Sequence, residues 1–375
     1  MKSHQLRHAA IAAVVASASA ASAISAHAAT PTGKIVFTRS QMTADNAPRS
    51  RSLWLLDVPT GNVRALTTAT DRVFDATATW SPDGSQLVFG RSATGALQGL
   101  RQSLQVMPTG NAQRPHALLH GLGQFVEPAW GPNNRIAFVS SNSTGQCVSV
   151  VDSTGRNRRD LFCAASAEFQ QPKWSKDGTR LFVGASVPVG RLGEQWHARA
   201  YNISVATGST KLLSDILMDY PLALSFSPDG TRGVYSDIAA SDMTIVDFTT
   251  GATKLVARTG HSPLWSPDGK RIAFTGEVYE VVPGNVRYYE PLYVMNTSGT
   301  GIRRITDSRI ADHAYTAAQW SKDGIHLLVN RRTYSAADVG LERPIFAMRL
   351  IDADTRALQR LPGGFAETGA WYEGR

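Results

Sequence analysis

Seven ionisable residues recur at one kind of place in this chain: Asp75, Glu127, Glu168, Asp219, His261, His313 and Glu367 each stand a few residues ahead of an aromatic residue that opens or closes a repeat. Brought to one point, their five carboxylates and two imidazoles would offer hard oxygens and borderline nitrogens, a donor set suited to calcium, manganese or zinc. Taken singly, each has a second use, which is to satisfy a backbone N–H within its own loop. The spacing alone leaves both uses open. No other stretch carries a recognisable catalytic spacing. There is no Gly-x-Gly-x-x-Gly after a strand pattern, no His-Glu-x-x-His, no paired Cys-x-x-Cys and no Asp-x-Asp-x-Asp-Gly calcium loop.

What must position those residues is a phrase that occurs six times: Trp80-Ser-Pro-Asp-Gly, Trp130-Gly-Pro-Asn-Asn, Trp174-Ser-Lys-Asp-Gly, Phe226-Ser-Pro-Asp-Gly, Trp265-Ser-Pro-Asp-Gly and Trp320-Ser-Lys-Asp-Gly. In a tight turn, Pro presets φ, Asp bonds its own local backbone, and Gly takes the left-handed conformation that returns the chain antiparallel. After each phrase come short alternating strands such as Arg271-Ile-Ala-Phe-Thr275 and Pro291-Leu-Tyr-Val-Met295. One such unit cannot bury its apolar face alone, so the units must stack on one another. The anchors read as packing residues between units, since six copies of a residue are not one active site.

Counting units fixes the architecture. The stretch Lys34-Ile-Val-Phe-Thr38, Ser52-Leu-Trp-Leu-Leu-Asp57 and Val63-Arg-Ala-Leu-Thr67 is a repeat without an opening anchor, and Thr368-Gly-Ala-Trp371-Tyr is an anchor without a repeat. Joined, they predict an all-β, seven-bladed β-propeller in which N- and C-terminal strands close one blade. Such closure leaves no free sheet edge at the seam. Six blades result if one unit is degenerate or packs outside the ring.

The pattern aromatic-Ser-Pro-Asp-Gly-x-x-Ile/Leu-x-Phe, followed by a strand like Leu-Tyr-Val-Met and then Arg-x-Ile/Leu-Thr, resembles the TolB-like propeller repeat over nearly the whole chain beyond residue 28. TolB proper carries an α/β domain ahead of its propeller, and only a few residues stand here between position 28 and the first strand. That domain, and the inner-membrane coupling that depends on it, are not expected. Oligogalacturonate lyases share this architecture, and the resemblance implies channel histidines with a metal, for which His261, His313 and His197 are a partial match. Prolyl oligopeptidase-type enzymes add an α/β-hydrolase domain, but Gly260-His-Ser-Pro-Leu264 lacks the second glycine of its Gly-x-Ser-x-Gly elbow. No peptidase activity is expected.

The N-terminus sets the compartment. Lys2 and Arg7 precede an Ala/Val/Ile run that ends at Ala26-His-Ala28, the pattern of a secretory signal peptide over 1–28, with a single propeller domain over 29–375. That run is too short and alanine-rich for a membrane span. A periplasmic or secreted, monomeric protein is expected. Residues 29–375 carry a formal +6 of the chain's +8, which either attracts anionic partners or serves solubility. The densest basic cluster, Arg156, Arg158 and Arg159, is not interleaved with aromatics, so no nucleic-acid partner is expected. Cys147 and Cys163 lie symmetrically about Gly155, so a hairpin turning there sets them face to face, ready for a disulfide in an oxidising compartment. Reduced buried thiols are the alternative.

Three longer loops, Ser40 to Arg51, Val187 to His197 and Val278 to Glu290, break the regular spacing. The tyrosines of the last either form a recognition surface or pair across a longer hairpin. Together these features predict a binding module for a protein or cell-envelope component, without catalysis and with no cofactor. The competing reading is a metal-dependent lyase or hydrolase acting on an anionic saccharide in the channel, with a divalent metal there.

Overall fold

Five of the six repeated phrases fold into the same hydrogen-bonded turn, and that turn sets the first strand of each unit against the second. In it the serine hydroxyl donates to the aspartate two residues on, as Ser81 does to Asp83 and Ser227 to Asp229, both at 2.6 Å. The same hydroxyl accepts the N–H that opens the next strand, from Gln86 at 2.9 Å and Arg232 at 3.0 Å. The aspartate accepts the N–H just after the glycine. Ser175, Ser266 and Ser321 repeat this with Asp177, Asp268 and Asp323. The second phrase, Trp130-Gly-Pro-Asn-Asn, differs. Asn133 and Asn134 take positive φ in a short 3-10 turn, and a Cβ on Gly131 would lie 2.3 Å from the Trp174 indole, which fills the place a serine would need.

The computed structural model describes residues 31–374 other than 43–47, 69, 96–98, 111–113, 122–124, 144, 190–194, 220, 238, 284, 307–312, 334–344, 355 and 363–365. The expected signal peptide, 1–28, lies outside the described residues. The chain is an all-β propeller, and among the described residues no helix is long and apolar enough to cross a membrane.

Among the described residues, strand pairing gives seven sets of four strands, with Glu168–Phe169 and Lys173–Trp174 taken as one split strand. In the first, Ala366–Tyr372 pairs antiparallel with Lys34–Met42, which pairs with Pro48–Asp57 and then Val63–Ala65, so both ends of the chain share one blade. A single parallel bridge, Arg51 to Phe74, links this set to the second. The other six begin with Val73–Trp80, Phe125–Trp130, the split strand Glu168–Phe169 and Lys173–Trp174, Pro221–Phe226, Gly260–Trp265 and His313–Trp320. We number these blades 1 to 7 in that order. Within the long stretches Ser40 to Arg51 and Val187 to His197, the described residues stay paired out to Met42 with Pro48 in blade 1 and to Val189 with Gln195 in blade 4. Val278 to Glu290 adds to blade 6 a separate hairpin of Val278–Val282 and Asn285–Tyr289.

The core lies between blades. Among the described residues, seven apolar clusters each draw on two successive blades: Phe89 with Trp80 and Val36, Phe138 with Val88, Leu181 with Val148, Phe182 with Phe226, Trp265 with Val234, Trp320 with Val294, and Trp371 with Leu328. The anchors therefore bury their rings at the seams. Three of their indole N–H groups bond across them, while Trp130 Nε1 and Trp265 Nε1 are buried without a hydrogen-bond partner among the described residues. Trp174 Nε1 donates to the Ala129 carbonyl at 2.9 Å, Trp320 Nε1 to Leu264 at 3.0 Å and Trp80 Nε1 to Ala370 at 2.9 Å, each acceptor being the residue before the preceding blade's anchor. Cys147 and Cys163 stand opposite one another on paired strands of blade 3 and form a disulfide.

Candidate functional site

The first strand of each blade is not regular. Its register shifts shortly before the anchor in blades 2, 3, 5, 6 and 7. At this bulge Thr77, Glu127 and Ser262 take φ of 51°, 53° and 51°, and each stands three residues ahead of its tryptophan. Left-handed backbone at a non-glycine residue costs about 1–3 kcal/mol, and a bulge re-aims the side chain it carries. Thr77 and Glu127 line a cavity of about 450 Å³ with Gln171 and Gln319, walled by Thr38, Thr79 and the edges of Phe37 and Gly369. These residues come from blades 1, 2, 3, 4 and 7, so the cavity is the central channel. Burial pushes the Glu127 carboxyl above its ordinary value, and a bond from the Gln171 N–H draws it part of the way back.

The seven candidates all lie on or beside first strands, but they have different company. Asp75 is wholly buried and accepts both Nε (2.6 Å) and a terminal nitrogen (2.8 Å) of Arg91, so its carboxylate is committed within its own blade. Glu168 is exposed at the start of the split strand of blade 4. Asp219 is exposed, and its N–H donates to Asp237 at 2.9 Å. The side chains of His313 and Glu367 lie outside the described residues. His197, on a later strand of blade 4, bonds Asp215 at 2.5 Å beside Arg199 and shares no contact with His261.

His261 is the candidate with the densest surroundings. Its Nε2 lies 3.4 Å from Glu290 Oε1 and its Nδ1 3.0 Å from the Ser262 hydroxyl. Glu290 Oε1 also accepts the Tyr288 hydroxyl at 2.7 Å, and Oε2 lies 3.5 Å from the Arg332 guanidinium. Burial pushes the Glu290 carboxyl up, but the bonds from His261 and Tyr288 and the charge of Arg332 outweigh it and hold the group below its ordinary value. Burial and the Glu290 carboxylate raise the Tyr288 phenol far above normal. The Glu290 backbone is stitched to blade 7, its carbonyl accepting the Tyr315 N–H at 2.9 Å. Glu290, Tyr288 and Arg332 were not singled out by the repeat pattern. Their one signal in the sequence is that Glu290 ends the long Val278 loop.

The tyrosines of that loop pair across the hairpin. Tyr279 faces Tyr288 with ring centroids 4.9 Å apart, yet Tyr279 stays 64% exposed and Val281 84%. Among the described residues, the one group of three His, Cys, Asp or Glu ligand atoms within 4.8 Å of one another is Cys147, Asp160 and Cys163, and both of its sulfurs are spent in the disulfide. His261 and Glu290 supply a pair of donors, with the carboxylate already held by Tyr288 and Arg332. The described side chains thus do not assemble a metal centre.

No protein-family model and no curated protein matches the sequence. Among solved structures, the chain is similar to puromycin hydrolase, with a TM-score of 0.59 and 11% identity over 89% of this chain and 53% of that one. It is similar to an oligogalacturonate lyase in complex with manganese, with a TM-score of 0.53 and 16% identity over 69% of this chain and 77% of that one. A putative 6-phosphogluconolactonase from Bacteroides uniformis aligns with a TM-score of 0.54 and 11% identity over 91% of this chain and all of that one. At these identities the likeness is one of fold, and the chemistry has to be argued from the site.

Proposed function

We propose that this chain is an exported TolB-like propeller whose residues 29–375 bind a protein or cell-envelope component and carry out no reaction. It works as a monomer in the periplasm or outside the cell after loss of residues 1–28. The observation that carries the reading is the hairpin of blade 6. Tyr279 and Val281 alternate onto one face of a strand and are exposed together, beside a fixed polar cluster of His261, Glu290 and Arg332. Large rigid side chains next to oriented polar groups are what a recognition surface needs.

A photo-crosslinking residue in place of Tyr279, with the same residue in place of exposed Leu358 as control, tests this in the producing cell. One discrete adduct at position 279 and none at 358 is expected. Equal, diffuse labelling at both positions would remove the hairpin from consideration as a binding surface.

A second reading is a lyase or hydrolase acting on an anionic saccharide at the channel. The close grouping of one imidazole, one carboxylate, one phenol and one guanidinium around Glu290 favours it. Elemental analysis of the purified protein before and after chelation separates the two readings. A stoichiometric divalent metal that is lost in His261→Ala supports the enzyme, and with it a screen of acidic oligosaccharides.

A further inference from the structure

Blade 7 turns a strip of arginines toward blade 6. Leu327 and Val329 of the strand His326–Thr333 pack into the cluster shared by blades 6 and 7, and Arg331 continues the same alternation, opposite buried Tyr315. On the next strand Arg349 pairs with Val329, one diagonal step from Arg331, and on the outermost strand Arg360 pairs with Arg349. Three guanidinium groups therefore follow one another across one face. Arg349 is only 6% exposed, and a terminal nitrogen of it donates to the Met348 carbonyl at 2.7 Å. Arg331 Nε is buried with no hydrogen-bond partner. Glu290 is engaged with Arg332, and none of Arg331, Arg349 and Arg360 is ion-paired with a described carboxylate.

Buried cations are ordinarily paired, because taking a charge from water without a counter-charge is costly. This strip instead sets like charges side by side. Burial, and then the charges of Arg331 and Arg360, pull the Arg349 guanidinium below its ordinary value. Arg360 is exposed and Arg331 partly so, which leaves the strip open to solvent at its outer end. A guanidinium presents parallel N–H donors matched to two oxygens of one acid group.

We propose that Arg331, Arg349 and Arg360 bind an oxyanion: a carboxylate, sulfate or phosphate group of an acidic ligand. The site is separate from the Tyr279 hairpin and does not depend on its role. Calorimetric titration of the mature protein with sodium sulfate, sodium phosphate and sodium glucuronate, at low and matched ionic strength, tests it. The expected result is saturable binding of at least one of the three. A preference for glucuronate would mark a sugar acid as the source of the group, and a preference for phosphate or sulfate an ester. Arg331→Gln should weaken binding at least tenfold, Arg331→Lys less, and remote, exposed Arg258→Gln not at all. In anion-free buffer Arg331→Gln should melt at or above the wild-type temperature, and below it once sulfate saturates the wild type. Absence of saturable binding by a folded wild type, or equal binding by Arg331→Gln, would overturn the proposal.

Discussion

Gln319 holds the backbone of Trp371 by both ends of its amide: Nε2 donates to the Trp371 carbonyl and Oε1 accepts the Trp371 N–H, each at 2.8 Å. Gln319 is the residue before the anchor of blade 7, and Trp371 is the anchor of blade 1, so this clasp spans the seam between blades 7 and 1. The same position serves the same end elsewhere. Lys173 Nζ donates to the Phe226 carbonyl at 2.8 Å, and the Ser225 hydroxyl accepts the Trp265 N–H at 2.9 Å. Replacing Gln319 by Leu strands a buried backbone N–H and C=O and should cost about 1–3 kcal/mol, read as a lower urea midpoint at unchanged m-value. Gln319→Glu keeps the acceptor and loses the donor, so it should fall between. A Leu variant as stable as wild type would mean that the seam is held by the Trp371 ring alone.

The Ser-x-Asp turns predict an acid limb of instability. The Ser81 hydroxyl and the N–H and hydroxyl of Ser85 hold the Asp83 carboxyl down to about 2. Its folded value lies below its unfolded one of about 3.9. The stability it contributes is therefore complete above pH ~4 and is lost as the pH falls toward 2. Ser81→Ala should move the Asp83 titration, followed by carboxyl NMR, back toward the ordinary range and should raise the pH of acid unfolding. An unmoved titration would assign the shift to something other than the turn.

The sequence made these turns legible, because Pro, Asp and Gly each have a local backbone reason to be where they are, and local rules survive without knowledge of the neighbours. It also marked the anchors and the seam at Trp371, since repetition exposes a unit that lacks its beginning. The role of Ser81 and its equivalents, which tie both the aspartate and the next strand, was absent from that reading. The bulge at Thr77, Glu127 and Ser262 was hidden for a different reason. Nothing in Thr, Glu or Ser favours positive φ, and the conformation is imposed by neighbouring strands. The Glu290 cluster was hidden because its members come from a hairpin and two blades that only the closed stack of sheets brings together.

The Cys147–Cys163 bridge closes a hairpin with a sequence separation of 16 residues. Constraining a loop of that size in the unfolded chain is worth about 3 kcal/mol in the chain-entropy account. The Cys147→Ser, Cys163→Ser double variant should lose roughly that amount, and wild type in reductant should lose as much. Equal melting temperatures with and without reductant would show that the bridge adds nothing the paired strands lack.

Lys173 makes a pH prediction of the same sign as the turn aspartates, but in the alkaline range and from burial of a charge instead of hydrogen bonds to it. Burial lowers its ammonium to about 8, the charge of Asp229 recovering a little of the loss. Unfolded lysine titrates near ~10.4, so between these values the unfolded chain keeps a proton that the folded one has shed. Stability linked to this group must then rise with pH from about 8 to ~10 and stay flat below. Lys173→Met removes the group along with its bond to the Phe226 carbonyl. Compared at pH 7 and pH 10, wild type should gain roughly 2 kcal/mol relative to Lys173→Met as the pH rises. The comparison cancels other alkaline titrations, the tyrosines above all, because both proteins share them. A difference that is constant across the range would mean that Lys173 stays charged in the fold, its ammonium sufficiently compensated by the carbonyls of Phe226 and Ser227 at the seam between blades 4 and 5.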